Sequence, residues 1–113
     1  MIKTVDQFIN NYEGEKKAWL TIFASFMREN YPEIPEAISY QIPTWKFHRT
    51  YIAFSAANEH FTFHTLDFEM IEELKTLLPK VKFGKGSAKV PYASRESIPI
   101  LFDMIHKIVR RNR

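Results

Sequence analysis

The sequence predicts a two-layer α+β fold, helices packed on one face of an antiparallel sheet, in the order ααβββαβα. Three observations predict it. Apolar residues recur at helical spacing near both ends; from Ala37 to His64 the period changes to two; and the breaks between the alternating runs are too short for parallel crossovers. Stripes of these two kinds are buried most economically against one another. A chain of 113 residues suits a single domain, 1–113, and 45% hydrophobic with 26% charged residues is the balance of a globular protein rather than a disordered one.

Thr4-Val5-Asp6-Gln7 reads as a capping box, and Val5, Phe8, Ile9 and Tyr12 follow at helical spacing, so a first helix is expected to end near Gly14. A longer helix from about Glu15 carries Trp19, Ile22, Phe23, Phe26 and Asn30 on one side until Pro32 forbids continuation. Ile38, Tyr40 and Ile42 alternate with Ser39 and Gln41 as one strand, with Pro43 marking its end or a bulge. Trp45-Lys46-Phe47, the run from Tyr51 to Ala56 and the run from His60 to His64 continue the sheet. Asp67 is placed to cap a third helix whose Phe68, Ile71, Leu74 and Leu78 face the core, with Pro79 ending it. Lys82 to Lys85 read as loop and Ser87 to Pro91 as a strand. Pro99 suits the first turn of a last helix carrying Leu101, Phe102, Ile105, Ile108 and Val109.

Composition removes several chemistries. The sequence has no Cys, which excludes disulfides, thiolate metal sites and a cysteine nucleophile together. The first residues, Met1 to Asp6, lack the apolar stretch of a signal peptide, and no window reaches the roughly 20 apolar residues of a membrane span, so a cytoplasmic location without membrane partners is the expectation. The net charge of +3 is modest and concentrated in Lys107, Arg110, Arg111 and Arg113. At the end of a helix these cations suit the helix dipole, and with no recognisable module they make no case for nucleic acid. A monomer and a homodimer are both compatible with the sequence.

Three groups of residues carry candidate chemistry. His60 and His64 share a strand face but lie about 13 Å apart, too far to share one ion. Asp67, Glu69, Glu72 and Glu73 cluster at the start of the third helix, where carboxylates suit the dipole; Glu69 and Glu73, at i and i+4, would face the same way and could share a hard cation. Gly84-Lys85-Gly86-Ser87 is too short for a phosphate loop of the Walker type, and a tight turn with positive φ is the simpler reading. With Lys89 nearby, it could still hold a small anion. Trp19 and Trp45 are most simply core, and Tyr40 has a hydroxyl in want of a partner. No nucleophile elbow or triad is legible, and no enzyme activity is expected.

The run Glu36-Ala37-Ile38-Ser39-Tyr40-Gln41-Ile42-Pro43-Thr44-Trp45 resembles the E-x-I-S-Y-x-x-P-x-[FW] signature of the YdhG-like family, a family of domains of unknown function. Phe54 to Phe61 resembles its second hairpin, Gly84 to Pro91 its S/G-K-G-T-x-[RK]-F-P strand, and Ile98-Pro99 the opening of its last helix. His64-Thr65 departs from it, since the family tends to read Tyr-Pro there. Members are described as small cytosolic α+β proteins, and one as a frataxin-like iron chaperone. The resemblance therefore implies weakly bound iron, delivered to iron–sulfur or haem assembly proteins, with exposed carboxylates such as Asp67, Glu69, Glu72 and Glu73 as ligands. The alternative expectation is a small-anion or small-ligand module: Tyr40, His60, Lys85 and Lys89 would border one groove on the sheet, with His60 able to do acid–base work.

Overall fold

The computed structural model describes residues 1–113. Helix α1 (Val5–Asn10) opens on the expected capping box: the Gln7 amide donates to Thr4 Oγ1 at 3.1 Å, and Gln7 Oε1 accepts from the Thr4 amide at 3.2 Å. The helix is shorter than its pattern suggested, and the chain reverses through Gly14, whose φ of 62° few other residues adopt cheaply, into α2 (Gly14–Asn30). The buried side of α2 is Trp19, Leu20, Phe23, Ala24 and Met27. Phe26, expected in that stripe, is half-buried and stacks on Phe102 of the last helix at 4.0 Å, because α2 is flanked by a helix as well as covered by the sheet.

The sheet has six strands in the order β1-β2-β3-β4-β6-β5, every neighbouring pair antiparallel. They are β1 (Glu36–Ser39), β2 (Ile42–Phe47), β3 (Thr50–Ala56), β4 (His60–Thr65), β5 (Lys82–Phe83) and β6 (Ser87–Pro91). The element order is therefore ααββββαββα. The two-layer α+β architecture is as expected, but the single strand read from Ile38 to Pro43 is two. Tyr40 and Gln41 take φ of 50° and 68° and turn the chain between Ser39 and its partner Ile42, the pattern of a type I′ hairpin. Neither residue announces such a turn, and strict apolar alternation runs straight through it. Lys82 and Phe83, expected as loop, pair with Lys89 and Ala88.

Helices α3 (Phe68–Leu77) and α4 (Ser97–Arg111) complete the layer. Ile71, Leu74 and Leu78 are buried as expected, together with Met70, whereas Phe68, expected to face the core, is exposed at the start of the helix. Leu101, Ile105, Ile108 and Val109 of α4 are buried, again as expected. On the sheet, Trp45, Ile52, Phe54, Phe61, Phe63, Ala88 and Val90 face these helices and are all but completely buried. Trp19 and Trp45 are core residues, although the Trp19 indole N–H has no acceptor.

The left-handed pair at the β1–β2 turn gives a direct test. Gln41→Gly removes a side chain from a conformation that costs a non-glycine residue about 1–2 kcal/mol, so it is expected to raise the thermal midpoint by a few degrees. A lower midpoint on calorimetry would argue against the turn.

Candidate functional site

Alternation along the strands sends half of their side chains away from the helices. Ile42, Thr44 and Lys46 of β2, Tyr51, Ala53 and Ser55 of β3, and His60, Thr62 and His64 of β4 form the open face, and register aligns Thr44, Ala53, His64 and Ser87 in one rung across four strands. Ala53 is the smallest side chain at the middle of that rung. A hollow of about 620 Å³ lies above it. Its walls are Ser39 and Tyr40 from the β1–β2 turn region, Ile42, Tyr51, and Leu66 beyond the end of β4, with Lys46 at one end. Tyr40 is 98% and Leu66 46% exposed, so two large apolar surfaces stand unburied at its rim.

His64 closes one side of the hollow. Its Nε2 lies 2.9 Å from Ser55 Oγ, and burial pushes the imidazole below its ordinary 6.5, so the ring is neutral at neutral pH. Below about 6.5 the unfolded chain binds this proton more readily than the folded one, so stability is lost as pH falls through that window toward the lowered folded value. The thermal midpoint is therefore expected to drop between pH 7.5 and 5.5 by more in the native protein than in His64→Gln; equal drops would show that His64 is free to ionise where it sits.

The groove expected from Tyr40, His60, Lys85 and Lys89 is not one site. Tyr40 lines the hollow. His60 lies at the opposite end of β4 from His64, opposite Pro91, and Lys89 is opposite Thr62, both outside the hollow. Lys85 turns away altogether, its ammonium 4.9 Å from the centre of the Phe68 ring. The glycine loop is a tight turn for a reason other than positive φ: a Cβ on Gly86 would come within 2.5 Å of the Thr65 carbonyl and 2.9 Å of the Phe68 ring. Lys46, Thr44 and Ala53, which do line the hollow, went unread, and His64 was read only beside His60, because their grouping depends on register across β2, β3 and β4. Alternation carried across all three runs, with one Ala among larger side chains, is the signal that could have found them.

The acidic cluster is held by cations. Asp67 is buried and caps nothing with its side chain; it accepts from Arg111 Nε at 2.9 Å and Asn112 Nδ2 at 2.7 Å, while Thr65 Oγ1 takes the Asp67 amide. Glu69 pairs with Arg111 at 2.7 Å, Glu72 with Lys75 at 2.6 Å and Glu73 with Lys107 at 2.6 Å. Glu69, foremost, and Asp67 raise the Arg111 guanidinium above its ordinary range. Three of the four carboxylates thus tie α3 to the end of α4, and no group of three or more His, Asp or Glu side chains is arranged to hold a metal ion. Asp67→Asn leaves a buried site short of a charge and is expected to lower the thermal midpoint by at least about 5 °C, whereas Glu72→Gln, at an exposed pair, should move it by less than about 3 °C. Equal effects would mean that Asp67 is solvated.

No protein-family model and no curated protein matches the sequence. Among solved structures, the crystal structure of YdhG from Bacillus subtilis, a protein of the DUF1801 family, superposes with a TM-score of 0.77 at 14% identity, over 91% of this chain and 86% of that one. The two chains share one fold. The YdhG-type architecture expected from the Glu36–Trp45 signature is thus the one observed, and the signature spans β1, the left-handed turn and the first four residues of β2, which together build one wall of the hollow.

Proposed function

We propose that this protein binds a small, mainly apolar organic molecule in the hollow on the open face of its sheet. The observation that carries the reading is the hollow itself: about 620 Å³, within the size range of small-molecule sites, with a floor at Ala53 and apolar walls. Around it stand the Ser39 and Tyr51 hydroxyls, the Tyr40 phenol and the Lys46 ammonium, none of them bonded to another side chain, which is how a site offers directional contacts without first breaking its own.

The iron-delivery reading implied by the family resemblance would draw on Asp67, Glu69, Glu72 and Glu73. Each of these carboxylates already accepts from an ammonium or guanidinium, so iron would have to displace a cation from every ligand it took. That cost favours the hollow.

Amide shifts on titrating a small-molecule fragment set into labelled protein are expected to cluster on Thr44, Ala53 and His64. Ala53→Leu, which fills the floor, should abolish them while leaving the remaining spectrum intact; Ile42→Trp at the other end serves if Ala53→Leu unfolds. Shifts elsewhere, or indifference to both substitutions, would overturn the reading. Anaerobic titration with ferrous iron is expected to give no saturable binding, and saturable binding lost in Glu69→Gln with Glu73→Gln would restore the iron reading in its place.

A further inference from the structure

The charges around the hollow narrow its occupant further than its volume does. Among the nine lining residues, Lys46 is the one permanently charged side chain, and there is no carboxylate. Six of the protein's cations, Arg28, Lys75, Arg95, Lys107, Arg111 and Arg113, are taken up in ion pairs, but Lys46 has none. On its other side Lys46 borders a shallow hollow that contains Glu33, and that carboxylate is committed to Arg113 at 3.2 Å. The ammonium therefore stands at one end of an apolar trough with no counter-ion from the protein.

The rest of the trough has a direction. Lys46, Thr44 and Ile42 succeed one another on the same face of β2, a span of about 13 Å from first to last at strand spacing. Tyr51 lies directly opposite Lys46, with Leu66 next along that rung just beyond β4, Ala53 lies opposite Thr44, and Ile42 and Tyr40 add apolar surface away from the Lys46 end. Charge is at one end, the low floor in the middle, and apolar walls at the other. His64 beside the floor adds no second cation at neutral pH, because burial keeps it neutral.

On the reading that the hollow is the binding site, the geometry points to an amphipathic monocarboxylate as its ligand, the carboxylate on Lys46 and an apolar body the size of a fused bicycle or a short acyl chain lying over Ala53 toward Ile42 and Tyr40. A cationic or zwitterionic ligand would face Lys46 with no acid to offset it. A di- or triphosphate would bring several negative charges to one ammonium, leaving the others desolvated and unpaired. A neutral ligand of the same shape would fill the walls but leave Lys46 with water alone.

The test compares ligands that differ only in the head group: 2-naphthoate, 2-naphthamide and 2-naphthylmethylammonium, repeated with octanoate and octanol to vary the body, each titrated into labelled protein and followed at the amides of Lys46, Ala53 and His64. The acid of at least one series is expected to bind about tenfold more tightly than its neutral counterpart, the size of one partly desolvated ion pair. Lys46→Met should reduce the acid to the affinity of the neutral probe without changing the latter, and Lys46→Arg should preserve the preference. Equal affinity of acid and neutral probes, or a preference that survives Lys46→Met, overturns the assignment of ligand class while leaving the hollow as a binding site. Absence of all binding at these amides, in both series, overturns the site as well.

Discussion

The Phe23 ring sits 4.6 Å from Phe61 and 5.2 Å from Phe54, and Trp19, one turn earlier on α2, lies 5.4 Å from Phe61. This seam of aromatic rings joins the central helix to the central strands, and the one-sidedness of the molecule depends on it. Rings of this size bury large areas and fix the distance and tilt at which a helix can lie on a sheet. Having α2 seated over β3 and β4 leaves α4 its place beside it, held by Phe26 on Phe102 and by the hydrogen bond between Tyr31 and His106. The cost is visible at Trp19, whose indole N–H is buried without an acceptor; packing has been preferred to a hydrogen bond there.

Because all four helices lie on one face, every alternate residue of the strands must either meet water or meet something else. A sheet face that simply meets water carries mainly polar side chains, with apolar ones scattered singly. This one is polar at the β6 side, with His60, Thr62, Ser87 and Lys89, but turns apolar toward β1, with Ile42, Ala53, Tyr51 and the overhanging Leu66 and Tyr40. The change of character across a single surface, together with a small residue at the floor of the apolar half, distinguishes a cavity from a solvated face. The left-handed turn at Tyr40-Gln41 belongs to the same feature: it costs backbone energy, and it stands Tyr40 fully exposed at the rim.

What could be read from the sequence followed from local physics. The capping box at Thr4, the stop at Pro32, the buried faces of α3, apart from the exposed Phe68, and of α4, and the strands at β3, β4 and β6 all rest on residues close in the chain, and the structure bears them out. The β1–β2 turn was hidden because Tyr40 and Gln41 are poor turn formers held there by the pairing on either side. The stripe of α2 was misplaced by Phe26, whose partner, Phe102, is remote in sequence. Asp67 stands at the expected start of α3 but turns its carboxylate to the far end of α4 instead. The site suffered most, since proximity of Tyr40, His60, Lys85 and Lys89 was inferred from their motifs, and the four-residue step between His60 and His64 along β4 is enough to put His64 inside the hollow and His60 outside it.

Charge gives the last step of the argument. The basic balance of the chain suggested nothing specific, and the acidic run at α3 suggested a metal, yet the two account for each other: Arg111 joins Asp67 and Glu69, and Lys107 joins Glu73, so that α3 and α4 are clamped along their exposed sides. Paired charges of this kind are structural, worth little each at the surface and more where Asp67 is desolvated. Once they are set aside, ten of the sixteen Lys and Arg side chains remain unpaired, and where each of them stands carries information that the total never did. A lone ammonium beside an apolar trough is disfavoured by nothing in the fold and required by nothing in it either: Lys46 supports no helix, caps no terminus and neutralises no acid. Its physical consequence is felt only when the trough is occupied, since an apolar body that displaces water around an ammonium makes a carboxylate at that position more favourable than it would be in bulk solvent.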